Sequence, residues 1–262
     1  LSMQLIFTPR RQTSCWPKKV CKSYVQTRYG KLPVYQYGSG QKVWLVHGWS
    51  KSAYDLWPLM ERLAERGYAC ITFDFPAHGQ SQGKRSSLPQ MIMAFDDIAN
   101  TLNKPDLIIA QSMAASVIAN SLWMKHFQNN LLLISPVLNC YQYLLNRAKR
   151  TGIDQELFDQ IIHEIYQKDH MFIPELNALP KLKTFKGQLK IVQNKHDIDA
   201  PLMLSKALSK LLGANLFTTS TAGQHKILRS NSLLKIVESY NELTSESYDL
   251  PWFDLTQQKE SV

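Results

Sequence analysis

The chain has 262 residues, 44% of them apolar, enough for one large α/β domain with a substantial core or for two small domains. It holds no run of about 18 uncharged apolar residues, so no transmembrane helix is expected, and Pro9 interrupts the apolar start too early for a signal-peptide core. The net charge of +9 is carried entirely by the N-terminal part. Nine basic residues (Arg10, Arg11, Lys18, Lys19, Lys22, Arg28, Lys31, Lys42 and Lys51) precede the first acidic one, Asp55, and the rest of the chain balances to zero.

Such an arm has the charge to meet nucleic acid, anionic lipid or acidic ligands. It lacks the aromatic interleaving and the motifs of a nucleic-acid module, so no nucleic-acid partner is expected and a solvated basic edge is. The four cysteines, at 15, 21, 70 and 140, form no CxxC pair and no metal-ligand spacing. Reduced thiols in a cytoplasmic protein are the expectation.

Strand and helix signals alternate along the chain. Tyr24–Thr27 and Leu32–Tyr37 are predicted as a hairpin around Tyr29-Gly30-Lys31, and Val43–Val46 as a short buried strand ending in His47-Gly48. The segment SAYDLWPLMERLAERG places Leu56, Leu59, Met60 and Leu63 at helical spacing and stops at Gly67. A strand at Ala69–Phe73, a helix at Leu88–Leu102, a strand at Leu107–Ala110 and a helix at Met113–Lys125 follow, then a strand at Leu131–Ile134. Strands separated by helical segments of this length imply βαβ crossovers, hence a mostly parallel sheet covered by helices on both faces.

The rhythm breaks at Pro136. From about 137 to 184 the sequence is helix-rich without a strong strand, as expected of a short helical cap inserted into a single domain spanning residues 1–262. Leu189–Gln193 resumes the sheet, Pro201–Leu212 is a predicted helix, Asn215–Thr219 the last strand and Ile227–Leu243 the last helix. A polar tail follows.

Ser112, in IIAQSMAAS, follows a short apolar strand and precedes a helix. A sharp strand-to-helix turn there would expose its hydroxyl at the carboxyl end of the sheet, whereas an N-cap serine is the common alternative. The order of other residues bears on the choice. Asp197, in VQNKHDIDAP, follows the penultimate strand, and His225, in AGQHKIL, follows the last. A serine nucleophile needs an imidazole to take its proton and a carboxylate to orient that imidazole. Asp199, two residues on, remains an alternative acid. In LVHGWS, Gly48 lets a loop turn closely, so that the Trp49 amide and the Met113 amide would form an oxyanion hole. Trp49, Trp57, Met113 and Leu138, with residues of the cap, are candidates for an apolar substrate pocket. His47 is expected to be a structural hydrogen-bonding residue.

The set VWLVHGW, FDFPAHGQS, IIAQSMAAS, VQNKHDIDAP and AGQHKIL resembles the α/β-hydrolase fold superfamily from about Leu32 to Tyr240. Ala77, Ala110, Ala114 and Asn194 stand where that pattern has glycine, and Gln224 is inserted into its Gly-His loop. The resemblance implies a serine hydrolase of bacterial type with a small helical cap, no cofactor and no bound metal. Asp74 and His78 would be loop formers in it. The expected substrate is a small or medium carboxylic ester or thioester, cleaved through an acyl-enzyme on Ser112. A catalytically weak or inactive binding protein, a peptidase and a carbon–carbon bond hydrolase are the alternatives. Nothing in the sequence sets the oligomeric state.

Overall fold

A computed structural model describes residues 7–11, 14–220 and 223–241, apart from the side chains of Gln224 and His225. Eight strands form one sheet: β1 (Cys21–Thr27), β2 (Gly30–Tyr37), β3 (Gln41–Val46), β4 (Tyr68–Phe73), β5 (Leu107–Gln111), β6 (Asn130–Ile134), β7 (Leu189–Asn194) and β8 (Asn215–Thr219). Their order is β1-β2-β4-β3-β5-β6-β7-β8. β2 pairs antiparallel with both β1 and β4, and from β4 to β8 every pairing is parallel. The expected mostly parallel sheet is therefore observed, with the hairpin as its antiparallel edge.

Alternation along the strands sorts the core into two layers. On β3, Trp44 and Val46 face a cluster holding Ile92 and Phe95 of α2 (Leu88–Thr101) and Val117 of α3 (Ala114–Asn120). Val43 and Leu45 face the other side, where α1 (Trp57–Ala64) brings Leu59 and Leu63 and α9 (Asn231–Glu238) brings Leu234 and Val237. Each such side chain contributes about 1.5–3 kcal/mol on burial. Between β6 and β7 come α4 (Cys140–Arg150), α5 (Gln155–Asp169) and α6 (Ala178–Leu182). Between β7 and β8 comes α7 (Leu202–Leu212), and after β8 comes α8 (Gln224–Arg229).

Two predicted helices are broken. The expected helix Met113–Lys125 ends at Asn120 and resumes as a 3-10 turn at Trp123–His126. The buried carboxylate of Asp96, on α2, accepts the amides of Leu122 (3.1 Å) and Trp123 (2.9 Å), a tertiary N-cap that starts a new turn. Trp123 then stacks between Trp44 and Phe127. The expected helix Ile227–Leu243 is divided at Ser230, whose extended backbone and Oγ cap α9 through the Leu233 amide (3.2 Å). Its last two residues and the tail lie outside the described residues.

The basic edge is exposed at every one of its basic residues except Lys51, and several of these side chains are also tied to neighbouring elements. The Arg28 guanidinium grips the Asp97 carboxylate with two nitrogens, at 3.0 and 2.8 Å. Lys19 pairs with Glu61 (2.9 Å), and Lys22 donates to Gln80 (2.6 Å). Arg11 donates to three backbone carbonyls, those of Ala77, Ser81 and Gly83.

One buried side chain organises the loop after β4. The Asp74 carboxylate accepts from the Ala53 amide (2.7 Å), the Gln80 amide (2.9 Å) and the Tyr35 hydroxyl (3.1 Å). At Gly79, with φ +45°, a Cβ would fall 2.2 Å from that carboxylate, so the turn has no room for a side chain. Asp74→Ala would orphan three donors, each costing about 1–3 kcal/mol when buried. We expect a loss of about 4 kcal/mol in urea unfolding, against about 1 kcal/mol for Asp97→Ala, whose arginine partner is half exposed.

Candidate active site

The run from Leu107 to Ala119 is buried at every position except Ser112, which is partly exposed. Ser112 has φ +56°, in the left-handed region that non-glycine residues rarely occupy. The N-cap alternative does not hold. Ser87 and Ser230, which do cap helices, have extended backbones and accept from the amide three residues on. Ser112 has neither feature: α3 starts at Ala114 with Met113 at its N-cap. A strained φ of this kind costs about 1–3 kcal/mol and persists only where the surroundings impose it.

The surroundings are specific. The Ser112 amide donates to Ile134 O (2.9 Å), and its carbonyl accepts from the amides of Ala115 (3.2 Å) and Val137 (3.1 Å). Gly48, in the loop after β3, lies against the turn. A Cβ there would stand 2.9 Å from both Gln111 O and Ser112 Cβ and 3.3 Å from the Met113 nitrogen. The loop holding Trp49 is thus pressed onto the start of α3, whose first amides have no partner within the helix.

The carboxyl ends of the parallel strands are tied in succession across the edge. Ser112 N donates to Ile134 O, Ser135 N to Val192 O (2.8 Å), and Lys195 N to Thr219 O (2.8 Å). Asp197 lies in the turn after β7. Its Oδ1 accepts from the amides of Asp199 and Ala200, both at 3.0 Å, which fixes the carboxylate over the loop. Asn194, where the resembling pattern has glycine, accepts the His196 amide on its side chain (2.9 Å) and so closes the same turn. Asp199 points elsewhere, to an ion pair with Arg150 of α4. His225 is the second residue of α8, immediately after the loop that follows β8. Its side chain lies outside the described residues.

Trp49, Met113 and Leu138 are all buried and belong to one apolar cluster. Trp57 is not with them. It meets Trp16 edge-on at 5.8 Å and Tyr37 at 5.4 Å, packed against the cluster on the opposite side of the sheet. As the first residue of α1, it points with that helix's apolar side toward the other layer.

Behind the Trp49 loop sit two buried histidines. His47 Nε2 accepts from the Phe75 amide (3.2 Å), so its proton is on Nδ1, which donates to Gly48 O (2.8 Å). His78 donates from Nδ1 to Pro76 O (2.9 Å) and lies edge-on to Trp49, with ring centres 5.1 Å apart. Burial lowers both pKa values, that of His78 to about 3, so both rings are neutral near pH 7. Ala77, beside His78, sits at φ +63° where the resembling pattern has glycine. Burial pushes the Cys70 and Cys140 thiols up to about 12, which leaves neither as a nucleophile.

Among the described residues, no group of three or more His, Cys, Asp or Glu is placed to hold a metal ion, and no helix is long and apolar enough to cross a membrane.

The family model described as serine aminopeptidase, S33, matches residues 39–210, a span that includes Gly48, Ser112 and Asp197 and ends before His225. Among solved structures, the chain is similar to an esterase of Pyrococcus furiosus, with a TM-score of 0.65, 17% identity, and coverage of 89% of this chain and 96% of that one. It is also similar to an esterase of Exiguobacterium antarcticum (TM-score 0.61, 17% identity, 84% and 100% covered). A thioesterase domain from the curacin biosynthetic pathway gives a TM-score of 0.60 at 15% identity, with 83% and 98% covered. At these identities the likeness is one of fold. No curated protein matches the chain in sequence.

The buried histidines make a pH prediction. Their folded pKa values lie below the unfolded value of 6.5. Above that pH neither state is protonated and stability is flat. Below it the unfolded chain binds protons that the folded chain refuses. Stability then falls by up to about 1.4 kcal/mol per pH unit through His78, whose folded pKa is about 3, and His47 acts in the same direction. Urea midpoints between pH 7 and pH 5 measure this slope, and His78→Gln is expected to reduce it.

Proposed function

The chain belongs to the serine aminopeptidase S33 family of α/β hydrolases, and from that premise we propose that it cleaves small or medium carboxylic esters or thioesters through an acyl-enzyme on Ser112. The observation that carries the proposal is the turn at Ser112. One partly exposed hydroxyl stands in a buried run, on a left-handed residue at the carboxyl edge of the sheet, pressed against Gly48.

In the proposed reaction Ser112 Oγ attacks the acyl carbonyl while His225 takes its proton. The oxyanion is held by the amides of Trp49 and Met113. Collapse breaks the bond to the leaving group, which receives the proton from His225. Water, deprotonated by the same imidazole, then releases the acid. Asp197 orients His225. We assign this role to Asp197 and not Asp199, because two amides fix the Asp197 carboxylate at the strand end while Arg150 engages Asp199. β8 stands three strand spacings from β5, about 14 Å. We further propose α4–α6 as a cap on a single domain. Arg150 of α4 ties it to the acid loop through Asp199, and the Leu138 carbonyl accepts the Ala178 amide (3.0 Å) within it. Trp49, Met113 and Leu138 then supply the acyl pocket, without Trp57.

The family's description raises aminopeptidase activity as a second possibility. An aminopeptidase must bind a free α-ammonium. The end of α4 beside the acid loop carries Arg147, Lys149 and Arg150, and Arg150 already neutralises Asp199. That surplus of positive charge repels an ammonium and suits a neutral or anionic acyl substrate.

Turnover of p-nitrophenyl acyl esters, compared with amino-acid p-nitroanilides, separates the two activities. Ser112→Ala and Asp197→Asn are each expected to lower kcat about 10⁴-fold, and Asp199→Asn to change it little. Faster anilide than ester turnover would assign a peptidase. Folded wild-type protein that takes no fluorophosphonate label on Ser112 would assign a binding protein.

A further inference from the structure

We propose that the N-terminal strap, residues 7–11, is a positioning element of the catalytic site that holds the oxyanion loop in register with Ser112. The inference rests on the proposed role of the Trp49 amide. It explains what the start of the basic arm does, and the strap lies outside the span matched by the family model, which begins at residue 39.

The strap contacts the 48–50 loop at two residues and the loop carrying His78 at a third. Phe7 is buried (3% exposed) in the cluster that holds Trp49, Met113 and Leu138, and its ring meets Trp49 edge-on with centres 6.5 Å apart. Its carbonyl is anchored by the Ser86 amide (2.9 Å). The Arg10 amide donates to Ser50 Oγ (3.3 Å). Ser50 has φ +55°, another non-glycine residue in the left-handed region, immediately after Trp49. Arg11 acts from behind. Its Nε donates to Ala77 O (3.1 Å), and its Nη2 to Ser81 O (2.5 Å) and Gly83 O (2.6 Å). Those carbonyls belong to the loop carrying His78, whose ring braces Trp49 from the other side.

The physical logic follows from the strain. Two neighbouring loops, one with Ser50 and the other with Ala77 at positive φ, relax unless outside bonds hold them. An oxyanion donor must be held to within about 0.5 Å to act in the transition state. Gly48 sets how closely the loop approaches Ser112, and the strap sets where the next amide points. A loosened strap therefore weakens transition-state binding more than ground-state binding, so the loss falls on kcat and spares KM.

The test compares full-length wild type with Phe7→Ala, Arg11→Ala, Phe7→Leu and Lys19→Ala. Lys19 belongs to the same arm but pairs with Glu61 on the surface. Two quantities are read: kcat and KM on a short-chain p-nitrophenyl ester, and the rate of Ser112 labelling by a fluorophosphonate, whose phosphoryl oxygen also needs the oxyanion donors. Phe7→Ala and Arg11→Ala are each expected to lower kcat and the labelling rate about tenfold, with KM nearly unchanged. Phe7→Leu should recover most of the loss, and Lys19→Ala should match wild type. Wild-type rates in folded Arg11→Ala, or a loss carried by KM, would overturn the strap's role while leaving the serine hydrolase intact. If Phe7→Ala fails to fold, Arg11→Ala decides alone. A wild-type protein that does not label would remove the underlying assignment, and the strap proposal with it.

Discussion

A serine held at φ +56° between a buried strand and a buried helix is the constraint around which this edge of the sheet is arranged. No isolated chain would keep a serine there. It is kept because its amide is spent on β6, its carbonyl on the first turn of α3 and on the loop after β6, and its Cβ faces Gly48. The alanines at 110 and 114 become intelligible in this setting. Both are fully buried and small, and the backbone-to-turn approach from β3 falls on Gly48. The demand for a missing side chain is met from the neighbouring loop, so alanine is tolerated on either side of the serine.

The same edge shows how charge and burial divide the labour. His47, His78 and the Asp74 carboxylate are buried behind the Trp49 loop and spend their hydrogen bonds on backbone groups and, for Asp74, the Tyr35 hydroxyl. They shape the loop and contribute no exposed chemistry. The proposed reacting groups lie outside that layer, on turns tied strand to strand from β5 to β8. The basic arm joins the buried layer from outside. Arg11 satisfies three carbonyls of a turn that cannot pair them internally, a task suited to a planar guanidinium with several donors in fixed directions.

Where sequence patterning failed, it failed at helix ends. Apolar spacing runs unbroken through Ser121 and through Ser230, and nothing local signals a stop strongly enough to outweigh it. The break at Ser121 depends on Asp96, which is 25 residues away in sequence and caps a turn of another element. The break at Ser230 is a local cap, and Arg62 of α1 also binds the carbonyls of Arg229 and Ser230. Trp57 shows a related limit. Composition makes it a pocket aromatic as readily as a core one, and only the side of the sheet to which α1 packs separates the two. Phe7, Arg10 and Arg11 carry no recognisable pattern, because their partners lie in distant loops.

The sequence by itself determined the alternation of strands and helices, the mostly parallel sheet, and the order of Ser112, Asp197 and His225, each just after a strand. Each of these follows from short-range periodicity and from small or polar residues at strand ends, which are local properties. Only the tertiary structure decided that Ser112 is a strained turn and not a helix cap, that Asp199 belongs to Arg150, and that the basic arm folds back onto the Trp49 loop. A backbone angle held against its preference, a choice between two nearby carboxylates and the direction of an arm all depend on groups far apart in the chain. The energies that settle them exist only once the sheet has brought those groups together.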